Sequence, residues 1–141
     1  MSGAGQNEGM KRTLLSKYSD LAIRAVGLML WEPGTPPRTA WRRAGEQVFP
    51  DSPSAREKGC PMSTFLGLCE EGLVPGAPAG SYTQSVLNKE YALRALQALR
   101  SNPKLFDDDA KLWAIANGGT EISSNHQLEV LRSLWAEGLV R

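Results

Sequence analysis

Cysteine and histidine are scarce in this chain: two cysteines and one histidine in 141 residues. Cys60 and Cys69, nine positions apart, match no zinc-ligand spacing and are too few for a disulfide framework. With His126 as the single histidine, no metal centre and no cofactor is expected. An excess of one charge is missing too. Sixteen Lys/Arg meet fifteen Asp/Glu, a net +1, whereas a dedicated duplex-binding domain carries a marked basic stripe. No run approaches the roughly 18 apolar residues that cross a bilayer, so no membrane partner is expected. The opening MSGAGQNEG lacks the apolar segment of a secretory leader and reads as a flexible polar tail over residues 1–12. Two thiols without a leader point to a reduced, cytoplasmic chain with no disulfide.

What is present is enough apolar material for a core: 41% of the residues, with four Trp. That excludes global disorder and suits one compact domain. Charge is mildly uneven along the chain. Residues 1–58 carry nine Lys/Arg and six Asp/Glu, and residues 59–141 carry seven and nine.

One phrase is written twice. FLGLCEEGLV (65–74) aligns with LRSLWAEGLV (131–140), matching at Leu68/Leu134, Glu71/Glu137, Gly72/Gly138, Leu73/Leu139 and Val74/Val140. Upstream, LAIRAV (21–26) pairs with YALRAL (91–96), and RTAWRRA (38–44) with AKLWAIA (110–116), setting Trp41 opposite Trp113. Three matches in order with drifting offsets mark a duplicated unit with altered loops. The expected fold is all-α: a tandem duplication of a three-helix unit, 13–83 and 84–141, packed as one domain because either unit alone buries little surface.

Helix boundaries follow from local chemistry. Thr35 before Pro36, Asn88, and Asp107 or Asp108 are the expected N-caps, and Ser124 with Gln127 has capping-box spacing. Gly72 and Gly138 explain the repeated letters. Gly at C′ lets a helix exit through the left-handed region, and the Leu after it then meets the Leu at C3. Trp41, Trp113 and Trp135 fall at core spacing, while Trp31, at the end of the first helix, is the one expected in solvent. Glu70, Glu71 and Glu137 sit in last turns, where the helix dipole disfavours a negative charge by roughly 0.3–1 kcal/mol. They are either solvated or turned toward a basic partner or a neighbouring subunit.

Three short helices ending in an EGLV phrase and followed by the turn-rich PGAPAGSYT resemble the winged helix-turn-helix family. The resemblance implies that the third helix is a reading helix and that residues 73–83 form a short β-hairpin, the wing. Over nearly the whole chain, AWRRAGEQVFPDSPSAREKGCP, FLGLCEEGLVPG, LNKEYALRAL, NHQLEVL and LWAEGLV resemble a family of small bacterial proteins of unknown function. That resemblance implies a stable cytosolic fold and supplies no activity, cofactor or catalytic residue.

The stretch richest in chemistry is SPSAREKGCPMS (52–63). Ser54 and Glu57 have capping-box spacing, Gly59 stops that turn, and Pro61 fits the first position of the next helix. Cys60 would then stand at a helix N-terminus beside Arg56 and Lys58, a setting that lowers a thiol pKa and attracts anions. Three readings follow: a plain structural loop, an anion or partner site built from Arg42, Arg43, Arg56, Lys58 and Cys60, or a nucleophilic Cys60. His126 aligns with Cys60 and would be its base only if the two helix starts converge; otherwise it is a surface or capping residue. Residues 61–71 contain no Lys or Arg and end in two Glu, so nucleic acid would have to follow Arg38, Arg42, Arg43, Arg56 and Lys58 instead. The expected function is a non-enzymatic interaction module with its contact surface around 36–60, binding an unidentified protein or a second copy of itself. The alternatives are a winged-helix-like nucleic-acid-binding protein and a small enzyme using Cys60 as a reactive thiol.

Overall fold

The computed structural model describes residues 16–141, so the tail expected over 1–12 lies outside the described residues. The fold is all-α, with α1 Lys17–Trp31, α2 Pro37–Val48, the single turn α3 Pro53–Arg56, α4 Gly59–Glu70, α5 Val86–Ser101, a 3₁₀ turn Pro103–Asp107, α6 Asp109–Ala116 and α7 Gln127–Ala136. No strand occurs among the described residues, which corrects the hairpin expected at 73–83. That segment carries Pro75, Pro78, Gly76 and Gly80, and its backbone makes a tight turn and a bond to a helix in place of a ladder: Ala77 N–H donates to the Val74 carbonyl at 3.2 Å and Gly80 N–H to the Glu70 carbonyl at 3.1 Å. A strand pair loses ladder donors at each proline. Among the described residues no helix is long and apolar enough to cross a membrane.

Helix α1 exists because Leu21, Ala22, Ala25, Val26 and Met29 recur at helical spacing, and all are buried. It stops at Pro33 and Gly34, the latter at φ +92°. The second helix starts one residue later than the Thr35 cap implied. Pro36 stands at N-cap and Pro37 at N1, while the Thr35 hydroxyl donates to the Glu32 carbonyl at 2.7 Å and closes the preceding turn. Ser85, not Asn88, caps α5 by accepting the Asn88 N–H at 3.4 Å. Asp108 caps α6 as expected, accepting the Lys111 N–H at 3.1 Å. The Ser124–Gln127 box does not form. Gln127 Nε2 reaches across to Asn88 on α5 at 3.1 Å, and α7 begins from His126 in the left-handed region at φ 70°.

Both copies of the repeated phrase end their helices in the same way. Gly72 and Gly138 sit at φ 70° and 69°. Leu73 N–H donates to the Leu68 carbonyl at 3.2 Å, and Leu139 N–H to the Leu134 carbonyl at 2.8 Å, the long backward bond of a Schellman ending.

One cluster of buried residues runs through both halves of the chain. Helix α1 packs on α2 and α7; α4 packs on α5, α7 and α2; α5 also holds α6. Helix α4 is the central element, with every residue of 61–70 buried except Ser63. It therefore has no free face with which to enter a DNA groove. Trp41 and Trp113 are in the core, Trp135 is half-buried, and Trp31 is in solvent.

Candidate functional site

The residues singled out at 42–60 are close in the chain, yet the three arginines among them are engaged within the molecule. Arg42 pairs with Glu57 at 3.5 Å and Arg43 with Glu32 at 3.1 Å. Arg56 Nη1 donates to the carbonyls of Phe49 and Pro50 at 2.9 and 3.0 Å, closing the C-terminal end of α2, and its methylenes lie over Gly45. Ser52, rather than Ser54, caps α3 by accepting the Ala55 N–H. Lys58 takes the N-cap position of α4, which places Cys60 one residue inside the first turn rather than ahead of it. Arg56 is thus engaged with α2, not with Cys60. The other thiol, Cys69, is buried, and burial pushes its pKa far up, so it is an apolar core residue.

His126 is not directed at Cys60. Its Nδ1 lies 2.8 Å from Glu129 Oε2, and its ring sits 4.6 Å from that of Tyr18, whose hydroxyl donates to the Ala55 carbonyl at 3.0 Å. A cleft of about 390 Å³ between α6 and α7 is lined by Asp109, Trp113, Ser124, His126, Glu129 and Arg132. Arg132 meets Asp109 there at 2.9 Å, with its guanidinium over the face of Phe106, and Glu129 lies against His126. Among the described residues no group of three or more His, Cys, Asp or Glu could hold a metal.

A cleft of about 530 Å³ lies between the start of α2 and the loop that precedes α5. Arg38, Ser63 and residues 81–85 line it. Arg38 is held in place: Nη2 donates to the Tyr82 carbonyl at 3.1 Å, and Nη1 lies 3.3 Å from Met62 Sδ. The loop is held from behind by Glu70. Its Oε1 accepts the N–H groups of Tyr82 and Thr83 at 2.7 and 2.9 Å, and its Oε2 meets Lys89 Nζ at 3.1 Å, which also reaches Glu71 at 2.8 Å. The basic partner expected for Glu70 and Glu71 is therefore Lys89 of the same chain, and Glu137 is solvated. The wing resemblance places residues 81–83 in a strand and assigns no binding role to SYTQS (81–85). The available signal was its run of hydroxyl side chains.

Burial by itself raises the Glu70 pKa, but the backbone donors of Thr83 and Tyr82 together with the Lys89 ammonium outweigh it and hold the carboxyl below its ordinary value of 4.5. The carboxyl therefore contributes stability in full above that value, and the contribution is lost as pH falls through the lower folded value. Glu70→Gln is expected to cost roughly 1.5–3 kcal/mol at pH 7, the range for hydrogen bonds to a charged group. Urea melts at pH 7 and below pH 4 check this: the gap between variant and wild type should narrow in acid.

The chain belongs to the Family of unknown function (DUF6979), which it matches over residues 15–141. No curated protein and no solved structure matches it.

Proposed function

We propose that the protein is a non-enzymatic binding module whose contact surface lies where α1 ends and α2 begins. The observation that carries this reading is Trp31, which is 85% exposed at the end of α1. Leu30 beside it is also exposed, as are Val86 and Leu87 at the start of α5. A free indole costs little entropy to immobilise and offers much apolar area, which is why Trp is enriched among residues that dominate protein interfaces. Pro33, Pro36 and Pro37 fix φ through the connection that follows and present Trp31 on a stiff turn. Within 36–60 the pairing of Arg42 and Arg43 leaves less free charge for a partner, which moves the proposed surface toward this end.

We further infer that the two halves are copies of one three-helix unit. The order of buried, intermediate and exposed positions is the same along 21–30 and 91–100, and again along 40–47 and 112–119. Shared burial at every position supports a common ancestor unit better than the matching letters do.

Trp31→Ser is the test. It removes no core contact, so its melting temperature should match wild type, with stability changed by less than about 0.5 kcal/mol. Immobilised wild-type and variant chains would be compared for the proteins each retains from a lysate, and free chains for sedimentation across concentration. A retained protein or a self-association lost in Trp31→Ser supports the module. Identical retention and identical sedimentation would sink it.

A further inference from the structure

We propose that the Arg38 cleft is a binding site for a phosphate group. Among the described residues Arg24, Arg42, Arg43, Arg94 and Arg132 each face a carboxylate within 4 Å, whereas Arg38 faces none. The guanidinium has five N–H donors, and two contacts, to the Tyr82 carbonyl and Met62 Sδ, orient it without exhausting them. Among the described residues no acidic one lines the cleft.

The hydroxyls around it are biased toward donation. Ser85 Oγ accepts from both the N–H and the side-chain amide of Asn88, at 3.4 and 2.9 Å, so its two lone pairs are taken and its proton is left to give. Thr83 Oγ1 accepts the Ser85 N–H at 3.1 Å. Ser63, from α4, and Ser81 and Gln84, from the loop, line the same space. A fixed cation from α2 and hydroxyl and amide side chains from α4 and the loop line one space. They suit the three terminal oxygens of a phosphate. Glu70 lies behind the loop with Oε1 on two backbone N–H groups and Oε2 on Lys89, so it rigidifies the site from outside. The cleft between α6 and α7 offers an internal contrast. In the alignment of the two halves Ala110 stands where Arg38 does and Glu129 where Ser63 does, and the donor set is replaced by paired charges.

The full chain would be titrated with inorganic phosphate, O-phosphoserine and acetate, following backbone amide shifts by NMR. Saturable shifts centred on 81–85, with either phosphate compound at least about five-fold tighter than acetate, are expected, an Arg-anchored dianion being worth more than a single bidentate pair. The tighter of the two phosphates tells whether the group is free or carried on a larger molecule. Arg38→Gln should weaken binding about ten-fold or more, and Ser63→Ala about three-fold with an unchanged melt. Because Arg38 also supports the loop, the Ser63 variant keeps the test independent of folding. Trp31→Ser should bind phosphate as wild type does, which separates this site from the contact surface proposed above. Absence of localised shifts, equal affinity for acetate, or wild-type titration by Ser63→Ala together with Arg38→Gln would overturn the assignment.

Discussion

Gly67→Val should lower the melting temperature by roughly 10 °C, corresponding to about 3 kcal/mol or more of lost stability. Gly67 lies inside α4, where glycine is worse than alanine by about 1 kcal/mol on propensity alone. Its position against α5 decides the sign. A Cβ there would stand 2.8 Å from Lys89 Cβ and 3.0 Å from Lys89 Cα, so the clash is with the backbone of the facing helix and not with a side-chain tip that can swing away. The two helices must separate, and overpacking of that kind costs about 1–3 kcal/mol for a small addition. A branched side chain adds more. The same displacement draws Lys89 off Glu70 and Glu71, loosening the loop behind the Arg38 cleft. Gly67→Ala should fall between, because its propensity gain offsets part of the clash. Thermal and urea melts of the three chains order as Gly, Ala, Val; an alanine variant more stable than wild type would show that α4 and α5 slide apart at little cost.

Trp41→Ala is expected to cost about 3–5 kcal/mol, a large share of the roughly 5–15 kcal/mol that holds a domain of this size folded. Trp41 is wholly buried and its ring lies 5.1 Å from Phe65, so truncation opens a cavity between α2 and α4. Trp41→Phe separates packing from polarity. Among the described residues the indole Nε1 finds no hydrogen-bond partner, and an unpaired buried donor costs about 1–3 kcal/mol. Phenylalanine removes that penalty while keeping most of the ring, so it should cost less than about 1.5 kcal/mol despite its smaller volume. Equilibrium urea unfolding at pH 7 measures both, and a phenylalanine variant as unstable as alanine would overturn the account.

Local chemistry made much of the scaffold legible. The apolar spacing of α1, the positions of Trp41 and Trp113, the exposure of Trp31, the Asp108 cap and the glycine exits at Gly72 and Gly138 all depend on residues within about one turn of each other. A single stretch of sequence holds that information. The whole-chain resemblance to a family of unknown function was legible for the same reason. Caps differ from expectation where a better neighbour competes: Pro37 takes the N1 position expected of Pro36, Ser52 displaces Ser54, and Gln127 accepts the Asn125 N–H and reaches Asn88 in place of a box with Ser124.

Tertiary structure alone decided which charges are free. Arg42, Arg43 and Arg56 read as available cations, yet Glu57, Glu32 and two backbone carbonyls consume them. Arg38 looks no different, and among the described residues it faces a donor-lined cleft and no carboxylate. The tightness at Gly67 was equally hidden, since it is set by α5, twenty-two positions away at Lys89. Helix and turn formation are governed by neighbours in the chain, whereas pairing and close approach are governed by neighbours in space. Neighbours along the chain set where it coils and where it stops; neighbours in space set which of its polar groups remain to bind anything else.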